Sequence, residues 1–251
     1  MKKRIITAAV AIPIILLIFF AASSLSYILD IVLAIGIVLC VGEALNAAKS
    51  LKLYPLSIPS VIFAGAIPFL VNTKFLLPAI FIYFIAAFAA IVFNSKKISF
   101  NNAVFTFSFT VIISLSISSV TALYNSDRRL SVFYVVVGLA APWLTDAGAY
   151  FAGVSLGKHK LCPNISPKKT VEGAVGGVLC GTLLMIITGI IFNNLVFPSS
   201  NIDKNVNFVN LIIISFLCSI FSILGDLVFS MLKRNFDVKD YGSFFPDTAD
   251  F

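Results

Sequence analysis

A chain of 251 residues that is 59% hydrophobic and only 12% charged, with a mean hydropathy of +1.04, would leave too much apolar surface in water as a soluble domain. Apolar runs of about 18 residues or more recur, the length that crosses a bilayer as helix, and their continuity excludes the short alternating segments of a membrane β-barrel. The net charge of +7 does not signal nucleic acid, because 14 of the 18 Lys and Arg fall in alternate connections, leaving Lys74, Arg128, Arg129 and Lys204 on the opposite side. The expectation is an all-α, polytopic transmembrane helical bundle of about eight spans, with a cytoplasmic N-terminus and its basic face toward anionic headgroups and phosphorylated solutes.

The chain opens on Met1-Lys-Lys-Arg4 and the apolar run Ile5–Ala22, which reads as an uncleaved first helix because it exceeds a usual signal-peptide core and more spans follow. Tyr27–Leu45 is the second span, ending near a Glu43 read as an interfacial, solvated carboxylate. Ile58–Val71 is short and holds Pro59 and Pro68; it counts as a span because the charge alternation needs one there. Phe75–Phe93 and Val104–Tyr124 follow. The second is rich in Ser and Thr, whose hydroxyls are expected to bond back to the helix or across to a neighbour. No repeat, low-complexity tract or site marks residues 1–129, so they are assigned to N-terminal membrane helices and residues 130–251 to the part that carries chemistry.

From Leu130 the character changes. The span Leu130–Val154 contains Trp143, Asp146 and Tyr150, and Asp146, Tyr150, Gly153 and Gly157 keep helical spacing. One face then carries an acid, a phenol and room for close approach. An acid paired to a lysine for packing alone is the simpler alternative, but acids at membrane depth are costly and mark sites. The loop Leu156–Thr170 is basic, with Lys158, Lys160, Lys168 and Lys169, and is stiffened by Pro163 and Pro167. A helix follows near Val171, with Ser166 or Thr170 as its N-cap and Glu172-Gly173 and Gly176-Gly177 in its first turns. Lysines feeding a helix N-terminus make an anion site, since free N–H groups and the helix dipole both favour phosphate. A positive-inside loop touching headgroups would explain the lysines alone, but not the glycine-marked helix start. His159, the only histidine, reads as a plain loop residue.

The last apolar run, Phe208–Met231, leads into Gly225–Pro246. On a helix Asp226, Ser230 and Lys233 fall on one face, with Arg234, Lys239 and Asp240 beyond it. Two embedded carboxylates, Asp146 and Asp226, together with the lysines point to Mg2+-assisted chemistry on a phosphate-bearing substrate. At a membrane face, that implies one soluble phosphorylated partner and one lipid. Neither a P-loop nor a dinucleotide-binding glycine motif is present, and nothing supports a Ser/His/Asp triad. The cysteines, Cys40, Cys162, Cys180 and Cys218, are scattered without a C-x-x-C pair, against disulfides and zinc.

At these residues the chain resembles the phosphatidate cytidylyltransferases (CDP-diglyceride synthases), which join CTP and phosphatidic acid into CDP-diacylglycerol and pyrophosphate. The resemblance runs from Trp143 to Pro246. It rests on Trp143, Asp146, Ala149 and Tyr150; on Ile165-Ser-Pro-Lys-Lys-Thr170 with Glu172-Gly173; and on Ser230, Lys233, Arg234, Lys239, Asp240, Gly242 and Pro246. Arg4–Ala8 adds a weaker match. The resemblance implies a metal carboxylate at Asp226, and a catalytic polar face of Lys233, Arg234, Lys239 and Asp240. It further implies substrate-binding residues at Asp146, Tyr150 and Ser230, with Ser166, Lys168, Lys169, Thr170 and Glu172 around the nucleotide phosphates. Mg2+ as cofactor, the inner (cytoplasmic) membrane as location and a homodimer are further expectations of it. The family continues after the proline as G-H-G-G-x-x-D-R, with a second metal-binding Asp and a last helix, whereas here Pro246 is followed by Asp247-Thr-Ala-Asp-Phe251. Impaired activity of the chain as written is the corresponding expectation. The alternatives left open are an inactive member of the family, a related CTP-dependent lipid kinase, and a transporter that uses its embedded acids for ions.

Overall fold

The computed structural model describes residues 27–48, 50–126, 130–196 and 206–235. The expected first span Ile5–Ala22, and Lys239, Asp240, Gly242 and Pro246 with the tail after them, lie outside these residues, as does the side of the membrane on which the chain starts. Within the described residues are seven helices and one two-stranded hairpin: α1 Tyr27–Ala47, α2 Tyr54–Leu70, α3 Leu76–Phe93, α4 Phe100–Ser126, α5 Ser131–Leu156, β1 Lys160–Cys162, β2 Ser166–Thr170, α6 Val171–Val196 and α7 Phe208–Asn235. Six are long and apolar enough to cross a membrane, and α2, with 17 residues, is shorter. The protein is an integral membrane protein, and large apolar side chains such as Ile82, Phe93, Phe151 and Phe221 stand exposed on its helices. In hydrocarbon a helix satisfies every backbone donor within itself, which is why hydropathy alone locates these elements.

Two compact units divide the chain, with the boundary between Ser126 and Asp127. In the first, α2 touches α1, α3 and α4. Pro55 falls in its first turn, where a missing N–H costs nothing, and Pro59 and Pro68 are carried inside the helix. Its Ser60 bonds the buried Tyr83 hydroxyl at 2.8 Å, and the Tyr83 ring stacks between Phe63 and Phe107 at 4.5 and 5.3 Å. The Ser and Thr residues of α4 sort by face: Thr106, Thr110, Ser114 and Ser118, four apart, are all buried.

The second unit holds α5, the hairpin, α6 and α7, with α5 and α6 in the closest contact. Helices in lipid gain little from the hydrophobic effect against one another, so close approach of small residues has to hold them. Gly173, Gly177 and Gly181 recur every fourth residue on α6. A Cβ on Gly177 would sit 2.8 Å from both the Ala149 Cβ and the Thr145 carbonyl of α5. At Gly181 it would come within 2.5 Å of Thr145 Oγ1 and 2.7 Å of Ser219 Oγ. The space left by that missing side chain is where the buried Thr145 and Ser219 hydroxyls bond at 2.8 Å, joining α5 to α7. Below this contact Phe133, Val137, Ala141, Met185 and Leu211 form an apolar cluster.

Gly177→Val should therefore wedge α5 from α6. Overpacking of this kind costs about 1–3 kcal/mol, which lowers the melting midpoint of the purified protein by roughly 3–10 °C. Gly36→Ala on α1, where a Cβ meets nothing within 4 Å, is expected to leave the midpoint unchanged in the same thermal scan.

Candidate functional site

The basic loop between α5 and α6 folds as a hairpin rather than as irregular chain. Lys160 pairs with Thr170 and Cys162 with Ser166, antiparallel, around a turn at Pro163–Ile165. Pro163 and Pro167 are compatible with this arrangement because a two-stranded ribbon is all edge. Thr170 ends the hairpin and begins the helix, its Oγ1 accepting from the Gly173 N–H at 3.1 Å, so Thr170 and not Ser166 is the N-cap.

Glu172 holds the start of the hairpin in place. Its carboxylate accepts from the backbone N–H of Lys158 at 3.1 Å and of His159 at 3.2 Å, and meets His159 Nδ1 at 2.6 Å. The His159 carbonyl in turn accepts from Val171 N–H at 2.9 Å. His159 is thus more than a plain loop residue: although its ring is largely exposed, it is one half of a clasp at the helix start. An acid in the first turn also complements the helix dipole.

A cavity of about 490 Å³ opens between α5, the hairpin, α6 and α7, lined by Asp146 and Tyr150 of α5, Lys168, Lys169 and Thr170 of β2, and Asp226 of α7. Gly153 and Gly173 also line it, leaving backbone at the wall. Asp226 forms an ion pair with Lys169, the lysine side chain 27% exposed and the carboxylate 52%. Asp146 stands close enough to feel both the Asp226 charge and the Lys169 charge. Lys169 therefore offsets negative charge at both acids, and that is a physical reason both carboxylates are tolerated on membrane helices.

Of the residues singled out in the sequence, Asp146, Tyr150, Lys168, Lys169, Thr170 and Asp226 meet at this cavity. Ser230 and Lys233 continue the α7 face that carries Asp226. Ser166 lies on β2 beyond the cavity lining, Glu172 is engaged by the hairpin backbone, and Arg234 donates from Nε to the Ile165 carbonyl at the hairpin turn. Lys239 and Asp240 fall outside the described residues. The four cysteines are free thiols. Sequence reasoning missed the His159–Glu172 contact and the Thr145–Ser219 bond. The second left a trace in the sequence, since Thr145 precedes Asp146 and Gly181 keeps the four-residue glycine spacing.

The donor set fits Mg2+. No group of three or more potential ligands occurs among the described His, Cys, Asp and Glu. Two carboxylates and two lysines on one cavity suit Mg2+ whose shell a substrate's phosphates would complete.

Glu172→Ala should release the Lys158–Lys160 segment. Losing bonds to a charged acceptor at an exposed site is expected to raise tryptic cleavage at Lys158 and Lys160 about fivefold in native protein, as read by mass spectrometry of early fragments.

Residues 2–248 match the cytidylyltransferase family. The chain is 34% identical over 261 aligned positions to the phosphatidate cytidylyltransferase of Bacillus subtilis (strain 168), covering 98% of this chain and 89% of that protein. It is 31% identical over 250 positions to that of Staphylococcus epidermidis (strain ATCC 35984), covering 98% and 90%. A shorter alignment to the Staphylococcus saprophyticus enzyme is 36% identical over 156 positions, with 62% of this chain and 54% of that protein.

Proposed function

The chain belongs to the cytidylyltransferase family, and from that premise we propose that it is a CTP:phosphatidate cytidylyltransferase, a nucleotidyltransferase of phospholipid biosynthesis that makes CDP-diacylglycerol and pyrophosphate. The observation that carries this reading is the convergence of Lys168, Lys169, Asp146 and Asp226 on one cavity beside a helix N-terminus. CTP enters as the soluble substrate and phosphatidic acid from the surrounding lipid. The family's bacterial relatives and the basic hairpin support a cytoplasmic-membrane protein with this site on the cytoplasmic side, where CTP is found.

In the reaction a phosphate oxygen of phosphatidic acid forms a bond to the α-phosphorus of CTP, and the bond from that phosphorus to the bridging oxygen of the β-phosphate breaks. Pyrophosphate leaves with the electron pair of that bond. Lys168 and Lys169 extend from a strand whose backbone is fixed at both ends, so they bind the triphosphate and meet the charge that grows on the leaving group. Asp226 and Asp146 would hold Mg2+ together with the phosphates. Bound there, Mg2+ supplies the positive charge that lets two anionic substrates approach. Tyr150 lines the same cavity and orients the substrate against α5. Ser230 and Lys233 extend the polar face of α7 toward the headgroup, and Lys239 and Asp240 are assigned to the same machinery by motif alone. Lys169 neutralises Asp226, and from there it would reach the phosphates of bound nucleotide.

Asp226→Asn keeps the size and removes the charge. In an assay that separates CDP-diacylglycerol by chromatography from labelled CTP, the variant should lose more than about 100-fold in turnover. Near-normal turnover would remove Asp226 from the centre of this reading.

A further inference from the structure

The hairpin meets α7 at two points whose spacings match. Arg234 Nε donates to the Ile165 carbonyl, and eight residues earlier on α7 Asp226 pairs with Lys169. Eight residues of helix advance about 12 Å, and the four steps of extended chain from Ile165 to Lys169 about 13 Å. The pairs run in opposite order along the two segments, so β2 lies antiparallel to the end of α7 and is fastened at each end.

We propose that Arg234 is a positioning residue: its Nε–H fastens the hairpin turn to α7 and thereby holds Lys168 and Lys169 over the cavity, while the guanidinium itself does not touch substrate. This differs from the catalytic role that the resemblance implies, and its consequence for CTP binding rests on the nucleotidyltransferase reading. The geometry at the turn favours it. Arg234 lies at the far end of the contact from Asp226, it is not among the residues lining the cavity, and its partner is a backbone carbonyl rather than an open anion site. The Lys169–Asp226 pair also links the hairpin to α7, and that pair is the one nucleotide must open. A tie at the turn lets Lys169 leave Asp226 while the strand stays in place.

The donating atom supplies the test. Nε of Arg is the fourth side-chain atom from the backbone, and so is the amide nitrogen of Gln. Arg234→Gln therefore keeps a donor where Nε stands and removes the charge, whereas Arg234→Ala removes both. Cys162 on β1 is a half-buried free thiol, while Cys40, Cys180 and Cys218 lie within apolar helices. A water-soluble maleimide reacting with the full-length protein in liposomes thus reads the hairpin, with Cys162→Ser giving the background.

Arg234→Ala is expected to label at Cys162 about three- to tenfold faster than the unsubstituted protein, the range for one lost hydrogen bond from a charged donor at an exposed site, and Arg234→Gln within about twofold of it. In turnover, the Ala variant should raise KM for CTP by a similar factor with kcat changed less than about threefold, and the Gln variant should restore KM. Unchanged Cys162 labelling in the Ala variant overturns the proposal. So does a Gln variant that labels as fast as the Ala variant, or one that matches its KM, because a group neutralising phosphate by charge would gain nothing from Gln. If labelling follows the expected order and no protein turns over CTP, the fastening stands and the enzymatic reading fails.

Discussion

The second unit depends on the ion pair between Lys169 and Asp226. A carboxylate nine residues from the end of a membrane helix is tolerated only with a counter-charge, and here that charge comes from a strand outside the helices. The pair therefore does more than neutralise an acid. It draws the hairpin onto α7, closes one side of the cavity and sets a basic residue beside Asp226, its charge felt also at Asp146. Because Asp226 keeps about half of its side-chain surface open, the pair can exchange, and that suits the proposed binding of Mg2+ and nucleotide there.

Close helix packing makes this arrangement possible. Gly173, Gly177 and Gly181 let α6 lie against α5 with little between them, so Asp146 and Tyr150 on α5 reach the strand that feeds α6. The Thr145–Ser219 bond then fixes α7 against the same pair in the apolar interior, below the level of Asp226. Precision at the polar end comes from rigidity at the apolar end. Glu172 completes it by tying the chain that leaves α5 to the first turn of α6.

The helices were legible because hydrocarbon forces the backbone to satisfy itself, so long apolar runs have one outcome. Their ends were less so. Asn101 and Asn102 look like loop yet belong to α4, and α7 extends past Met231 because Lys233 and Arg234 are good helix formers whose charge suits a C-terminus. Asp146 and Asp226 stood out because each is an acid within an apolar run, and the site was found from them. The hairpin was hidden: Ser-Pro-Lys-Lys-Thr has poor strand propensity, and only its attachments at Glu172, Asp226 and Arg234 make it one. Those attachments join residues 13 to 69 positions apart, and two of them use backbone groups that carry no signature in the sequence.

The proposed CTP site is the hairpin cavity of the second unit. Ultraviolet crosslinking of labelled CTP to the intact protein with Mg2+, mapped by mass spectrometry, tests it most directly. Adducts are expected on the hairpin, residues 160–170, and on the facing part of α5, abolished by excess unlabelled CTP and weakened in Lys169→Ala. Competable adducts confined to helices α1–α4 would contradict it.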